Sequence, residues 1–198
     1  MGALMRISFL GVVLAGGKAS RMAGQPKGLM PFKGRPMCQY ILIALKPVCN
    51  GIAINVNKSL SLYKEFSDLV FADEEQFANL GPLSGIYSAL CFAEIHDFTH
   101  IIISPCDTPN IQQELFRQLR RKAETTTDTI FYAKSHLGLQ PLHAVLPVVS
   151  SKKQLEIFLQ TTQEKRVVDF YHACHGQVIT WENEESFLNI NRMSELDV

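Results

Sequence analysis

Residues 14–27 read Leu-Ala-Gly-Gly-Lys-Ala-Ser-Arg-Met-Ala-Gly-Gln-Pro-Lys and directly follow an apolar, β-branched run. Paired glycines after a buried strand let backbone N–H groups approach a phosphate closely, because no Cβ stands in the way. Arg21 and Lys27 add a guanidinium fork and a mobile ammonium, both of which suit phosphate oxygens. This stretch predicts a phosphate-binding loop. An isolated Gly-Gly pair is more often a flexible surface loop, so the strand context and the two cations carry the prediction.

Short β-branched runs alternate with longer amphipathic segments along the 198 residues, without a repeat. This alternation predicts an α/β fold: a single Rossmann-like three-layer domain with a mainly parallel, mixed sheet. The predicted strands are residues 7–14, 51–56, 68–72, 99–104, 129–134, 139–146 and 177–180. The predicted helices are residues 36–45, 82–94, 111–122, 152–160 and 167–172. In the second helix, Leu83, Ile86, Tyr87 and Leu90 share one face.

Charge is distributed unevenly along the chain. Residues 1–64 contain nine Lys or Arg and no Asp or Glu, although the whole chain has a formal net charge of zero. Hydrophobic residues make up 46% of the chain, which excludes disorder for most of it. Because long apolar runs separate the basic residues, we expect a folded cationic region that binds a compact anion and no nucleic acid.

The lengths of the apolar runs and the positions of the cysteines and histidines argue against a membrane protein, a disulfide-rich protein and a zinc protein. No apolar run reaches the roughly 20 residues of a membrane span, so no membrane partner is expected. The five cysteines are scattered without a C-x-x-C pair, and the spacing of the six histidines fits no standard zinc site. The pattern favours a reducing, cytoplasmic environment.

Polar residues follow several of the predicted strands. Asn55 ends the second strand, Asp73 follows the third, and Asp107 follows the fourth. A doubly wound sheet binds its ligand at the carboxyl ends of its strands, where the strand order reverses. We therefore expect these side chains to converge on the glycine loop.

The glycine spacing fits neither a P-loop nor a dinucleotide-binding turn. It resembles the L-A-G-G-x-x-x-R-M-G signature, followed by Lys, of nucleotidyltransferases with the nucleotide-diphospho-sugar transferase fold. Within these it looks most like the molybdenum cofactor guanylyltransferase family. Three later segments follow in the family's order: residues 81–86 match its G-P-L-x-G motif, 105–109 its P-C-D-T-P motif and 189–191 its N-x-N motif. The resemblance implies one domain over residues 1–198, with nucleotide binding by about 1–110 and acceptor binding by about 111–198.

The resemblance also implies a reaction and a set of site residues. GMP is transferred from GTP to molybdopterin cofactor, pyrophosphate leaves, and the guanine dinucleotide form of the cofactor results. The implied catalytic residues are Arg21, Lys27 and Asp107, and the implied Mg²⁺ ligands are Asp107 and Asn191. The implied GTP-binding residues are Leu14, Ala15, Gly16, Gly17, Arg21, Lys27, Asn55, Asp73, Gly81, Pro82, Leu83, Gly85 and Asp107. The implied acceptor-binding residues are His143, Arg166, Asn189 and Asn191.

Several alternatives remain open at this point. Asp107 is also suited to capping a helix that begins near Asn110, and Asn191 to capping the last short helix. Pro26 stands where the family commonly has Asp, which leaves a CTP-dependent relative as an alternative. A non-catalytic nucleotide-binding regulator is a further alternative. We expect a monomer that contacts cofactor-biosynthesis or acceptor proteins transiently.

Overall fold

The computed structural model describes residues 6–16, 25–162 and 166–190, together with the backbone of residues 21–22. In chain order its strands are β1 (Phe9–Leu14), β2 (Arg21–Met22), β3 (Gln25–Pro26), β4 (Pro31–Phe32), β5 (Arg35–Pro36), β6 (Gly51–Asn55), β7 (Leu69–Phe71), β8 (His100–Pro105), β9 (Phe131–Ser135), β10 (Gly138–Pro147) and β11 (Gln177–Thr180). All seven predicted strands are confirmed. The two-residue strands β2 to β5 were not predicted, because such short pairs show no periodicity.

The helices are α1 (Met37–Leu45), α2 (Leu60–Tyr63), α3 (Pro82–Ile95), α4 (Gln113–Thr125), α5 (Val148–Thr161) and α6 (Val167–Ala173). Short 3₁₀ turns cover Lys27–Leu29, Glu75–Phe77 and Glu184–Phe187. The five predicted helices are confirmed, with shifted ends. Helix α5 begins four residues before the predicted start at residue 152, directly after Pro147 at the end of β10. No helix in the described part of the chain is long and apolar enough to cross a membrane.

The seven long strands form one sheet in the order β11-β9-β10-β8-β1-β6-β7. Strand β10 is antiparallel to both of its neighbours, and the other pairings are parallel. The sheet is therefore mixed and mainly parallel, as predicted. Strand β1 lies between β6 and β8, and its last residue Leu14 is in register with Asn55 and Pro105. This register brings the carboxyl ends of the three central strands to one place.

Apolar side chains cover both faces of this sheet. In β1, Phe9 and Val13 belong to one core cluster, whereas Leu10, Val12 and Leu14 belong to the other. Such alternation is the two-residue period of a strand that is buried on both faces. Helices α1 and α4 pack into the first cluster and helix α3 into the second. The result is the predicted three-layer arrangement, with loops left to form a site at the strand ends.

Candidate functional site

A cavity of about 400 Å³ lies at the carboxyl ends of β1, β6 and β8. This volume falls in the range of small-molecule sites. The predicted site residues that line it are Leu14, Ala15, Gly16, Lys27, Asn55, Asp73, Gly81, Pro82, Gly85, Asp107 and Asn189. The expected convergence of the strand ends is thus confirmed for the described residues. Pro105, Cys106 and Leu142 also line the cavity.

The end of β1 is held between its two neighbours. The Ala15 N–H donates to the Asn55 carbonyl at 2.8 Å, and the Cys106 N–H donates to the Leu14 carbonyl at 3.1 Å. A Cβ at Gly16 would lie 3.2 Å from Asn57 Nδ2 and 3.3 Å from Asn55 Oδ1. Glycine at this position therefore lets the backbone approach the two asparagines without displacing them.

Lys27 and Asp107 form an ion pair at the cavity, with Nζ 2.6 Å from Oδ2. Lys27 begins a 3₁₀ turn and is 8% exposed, while Asp107 follows β8. The backbone of β2 pairs with β3, with Arg21 opposite Pro26. This hairpin explains how positions 21 and 27 come near each other, although the Arg21 side chain lies outside the described residues. The Asp107 carboxylate and the Lys27 ammonium are thus held together where little solvent reaches them.

Asp107 does not cap a helix in this structure. Helix α4 begins at Gln113, its N-cap is Gln112, and no side chain caps it. Instead, the Asp107 carbonyl accepts a hydrogen bond from the Ile190 N–H at 2.9 Å. This bond places the segment around Asn189 beside the Asp107 loop, and both Asn189 and Asp107 line the cavity.

Asn55, Asn57 and Asp73 form a hydrogen-bonded group on another wall of the site. Asn55 Nδ2 donates to Asp73 Oδ1 at 3.0 Å, and Asn57 Nδ2 donates to Asp73 Oδ2 at 2.7 Å. The Asp73 N–H donates to Asn57 Oδ1 at 2.8 Å. The carboxylate orientation is therefore fixed from both sides. Asn55 and Asp73 were predicted from the sequence, whereas the role of Asn57 in holding Asp73 was not, because it depends on the two strand ends being adjacent.

The Gly81–Gly85 segment forms the beginning of α3. Gly81 has φ 66° and ψ −141°, a conformation that is open to glycine and strained for other residues. A Cβ at Gly85 would lie 2.7 Å from Asn55 Oδ1. The Leu83 side chain is fully buried in the core and does not line the cavity, because the helical period turns it toward the sheet. A GTP-binding role for its backbone stays a prediction.

His143 is 2% exposed and does not line the cavity, so an acceptor-binding role for this residue stays a prediction. Its Nε2 lies 3.1 Å from Thr108 Oγ1. The register of β10 against β9 shifts between Gln140 and Ala144, so the ladder is irregular at residues 141–143. Leu142 lies in this irregular stretch and lines the cavity, which the sequence did not reveal.

The other predicted residues have different outcomes. Arg166 is exposed and binds Asp169, with Nε 2.8 Å from Oδ2, and it is not among the residues that line the cavity. An acceptor-binding role for Arg166 stays a prediction. Gly17, Asn191 and the Arg21 side chain lie outside the described residues, so their roles also stay predictions. Asn189 lines the cavity as expected.

The possible metal ligands in the cavity limit which metal ions it can bind. Cys106 lines it, but burial raises the pKa of this thiol well above the usual range, so it is neutral at physiological pH. In the described part of the chain, no group of three or more His, Cys, Asp or Glu residues is placed to hold a metal. A single carboxylate, Asp107, is still compatible with Mg²⁺, which keeps several waters and completes its shell with phosphate oxygens. The residues present therefore fit a metal that arrives with a phosphate ligand.

The fold and the cavity together define a class of protein. It is an α/β enzyme fold with its cavity at the point where the strand order reverses. The cavity combines a glycine loop, a lysine and an acidic residue, a set that suits a phosphorylated nucleotide. Residues 11–177 match the model of the MobA-like NTP transferase domain family. The chain belongs to this family, and it is a MobA-like nucleotidyltransferase.

Two further comparisons extend the family relationship over the whole chain. The chain is 30% identical over 195 residues to a molybdenum cofactor guanylyltransferase from Yersinia pestis (strain Pestoides F), covering 98% of this chain and 96% of that protein. The crystal structure of molybdopterin-guanine dinucleotide biosynthesis protein A from Archaeoglobus fulgidus superposes with a TM-score of 0.70 at 20% identity, covering 95% and 94% of the two chains.

A third comparison shows how widely the fold is used. The 4-diphosphocytidyl-2C-methyl-D-erythritol synthase from Anaerococcus prevotii has a TM-score of 0.70 at 10% identity, covering 96% of this chain and 93% of that chain. The fold alone therefore does not select the nucleotide.

Proposed function

We propose that this protein transfers GMP from GTP to molybdopterin cofactor, releasing pyrophosphate and forming the guanine dinucleotide form of the cofactor. The observation that carries the proposal is the Lys27–Asp107 pair beside the glycine loop, at 2.6 Å in a cavity of nucleoside size. The choice of substrates is supported by the whole-chain relationship to proteins named molybdenum cofactor guanylyltransferase.

The reaction suits a site that positions charged groups. A terminal phosphate oxygen of the acceptor attacks the α-phosphorus of GTP, a new P–O bond forms, and the bond to the pyrophosphate oxygen breaks. The nucleophile and the leaving group are both anionic, so no side chain has to remove a proton. Catalysis then consists of alignment and electrostatic stabilisation.

The phosphates and the metal occupy one side of the proposed site. The Lys27 ammonium and the loop amides near Ala15 and Gly16 bind phosphate oxygens, assisted by Arg21 and Gly17. Asp107 would hold Mg²⁺, with Asn191 as a second ligand. When bound, Mg²⁺ would offset the negative charge on the phosphate oxygens.

The nucleoside would be held by the opposite wall. Asn55 would hydrogen-bond the nucleotide, and Asp73 would accept hydrogen bonds from donors of the base or ribose, next to the open backbone at Gly81, Pro82 and Gly85. The acceptor would contact Asn189 and Leu142 at the cavity, together with Arg166. Nucleotide binding thus uses mainly residues 1–110, and acceptor binding uses mainly residues 111–198.

Isothermal titration with GTP, CTP and ATP in the presence of Mg²⁺ tests the nucleotide. We expect GTP to bind at least about tenfold more tightly than CTP, a difference of about 1.4 kcal/mol. Preference for CTP would assign the protein to a cytidylyl relative with the same phosphate site. Nucleotide binding without any pyrophosphate release in the presence of acceptor would instead indicate a non-catalytic binding protein.

A further inference from the structure

The buried Thr108–His143 pair has no part in the reaction described so far. Thr108 directly follows Asp107 and is 1% exposed, and His143 is 2% exposed. Thr108 Oγ1 lies 3.1 Å from His143 Nε2, whereas the Pro105 carbonyl is a longer 3.5 Å from the same hydroxyl. A buried hydroxyl or imidazole is costly unless it is hydrogen-bonded, so each group needs the other.

The fold places His143 specifically against this loop. His143 lies in β10 where the register against β9 shifts, between Gln140 and Ala144. Its ring packs edge-on against Phe187, with the centroids 5.1 Å apart. Burial lowers the pKa of His143 to about 3, so the imidazole is neutral and shares one hydrogen bond with Thr108 whichever nitrogen carries the proton.

We propose that His143 is a positioning residue: through Thr108, it fixes the backbone that presents the Asp107 carboxylate to the bound nucleotide and metal. Asp107 is then restrained from three directions. Its side chain is held by Lys27, its carbonyl by Ile190, and its following residue by His143. The catalytic part of this inference rests on the proposed function, whereas the restraint on the loop does not.

The test compares variants that keep or lose the hydrogen bond. His143→Phe keeps an aromatic ring against Phe187 and loses the bond, and Thr108→Val loses the hydroxyl at nearly constant shape. His143→Gln and Thr108→Ser retain a polar partner and serve as rescue variants. His100→Phe is the matched control, because His100 is also buried and lies 2.9 Å from the Thr99 hydroxyl at the opposite end of β8.

Hydrogen exchange of the unliganded protein, followed by mass spectrometry over residues 106–112, tests the restraint itself. Loss of one hydrogen bond worth about 1 kcal/mol predicts roughly fivefold faster exchange in His143→Phe and Thr108→Val. His143→Gln and Thr108→Ser should lie near wild type, and His100→Phe should leave this segment unchanged. Wild-type exchange in both bond-deleting variants would overturn the proposal.

GTP titration with Mg²⁺ and with EDTA tests the consequence for the site. We expect Mg²⁺ to tighten GTP binding in the wild-type protein, and this gain to shrink about fivefold in His143→Phe and Thr108→Val, with affinity in EDTA unchanged. Equal losses in Mg²⁺ and EDTA would contradict a role directed at Asp107. Absence of any Mg²⁺ effect in the wild-type protein would refute the metal role in the proposed function, while the exchange experiment still decides whether His143 restrains the loop.

Discussion

Lys27 and Asp107 are separated by 80 residues in the sequence, yet their charged groups lie 2.6 Å apart at the carboxyl end of β8. The pair is largely shielded from solvent, with side-chain exposures of 9% and 20%. Removing either partner leaves an uncompensated charge next to the phosphate-binding backbone. The two residues therefore form one functional unit, and the first two predictions test them separately.

Lys27→Ala should lower turnover by roughly a hundredfold or more, because an electrostatic contact made in the transition state contributes about 3 kcal/mol. Steady-state pyrophosphate release measures this effect. Lys46→Ala is the control, since Lys46 belongs to the same cationic part of the chain but is exposed and lines a different groove. Near-normal turnover of a well-folded Lys27→Ala protein would contradict the assigned role.

Asp107→Asn should remove most of the Mg²⁺ effect on GTP binding while leaving binding in EDTA close to wild type or tighter. The amide keeps the shape of the carboxylate but loses the charge that attracts a divalent cation. Titration of both proteins with and without Mg²⁺ gives the comparison, and Asp97→Asn is the control at an exposed aspartate. If Asp107→Asn retained the full Mg²⁺ effect, the metal would have to be held elsewhere.

Gly85→Ala should weaken GTP binding without lowering the stability of the folded protein. Alanine favours a helix by up to about 1 kcal/mol over glycine, so helix α3 should not be weakened by the backbone itself. The new Cβ would lie 2.7 Å from Asn55 Oδ1, however, and would displace the side chain that donates to Asp73. Loss of one such contact predicts roughly tenfold weaker GTP binding by titration. Unchanged GTP affinity, with the melting temperature measured alongside, would exclude Asn55 from the site.

Two buried histidines should make folding stability depend on pH. Burial lowers the pKa of His143 to about 3 and also lowers the pKa of His100. Above the unfolded value of about 6.5 each imidazole is neutral in both states, so these histidines leave the free energy of unfolding independent of pH. Below it the unfolded chain binds more protons than the folded one, so the free energy of unfolding falls, by at most about 1.4 kcal/mol per pH unit for each histidine.

Urea unfolding between pH 7.5 and 5 measures this slope. The His143→Gln protein should be folded at pH 7.5. Its free energy of unfolding should fall less steeply as the pH is lowered, because up to one proton fewer is taken up on unfolding. An identical slope in the wild-type and His143→Gln proteins would show that His143 binds its proton equally in the folded and unfolded states, which contradicts the lowered pKa.

The central strands and the position of the cavity could be predicted from the sequence, because the local pattern and the topology agree there. The apolar run of β1 predicted a buried strand, and the polar residues Asn55 and Asp107 at strand ends predicted where the cavity lies. The helical period puts the Leu83 side chain beside Ile86 on a buried face, so only its backbone is left for the role that the motif resemblance implies. The burial of His143 was not predicted, because it depends on how β10 pairs with β9, where the register shifts between Gln140 and Ala144. The hydrogen bonds between Asn57 and Asp73 form because two strand ends are adjacent, and this adjacency is visible only in three dimensions.

The most direct test of the proposed reaction combines purified protein, molybdopterin cofactor and either GTP or CTP in the presence of Mg²⁺, with pyrophosphate and dinucleotide product measured together. The proposed function predicts equal amounts of pyrophosphate and guanine dinucleotide, both requiring the acceptor and both strongly reduced by Lys27→Ala. Product formation from CTP in preference to GTP, or no pyrophosphate from either nucleotide, would contradict guanylyl transfer.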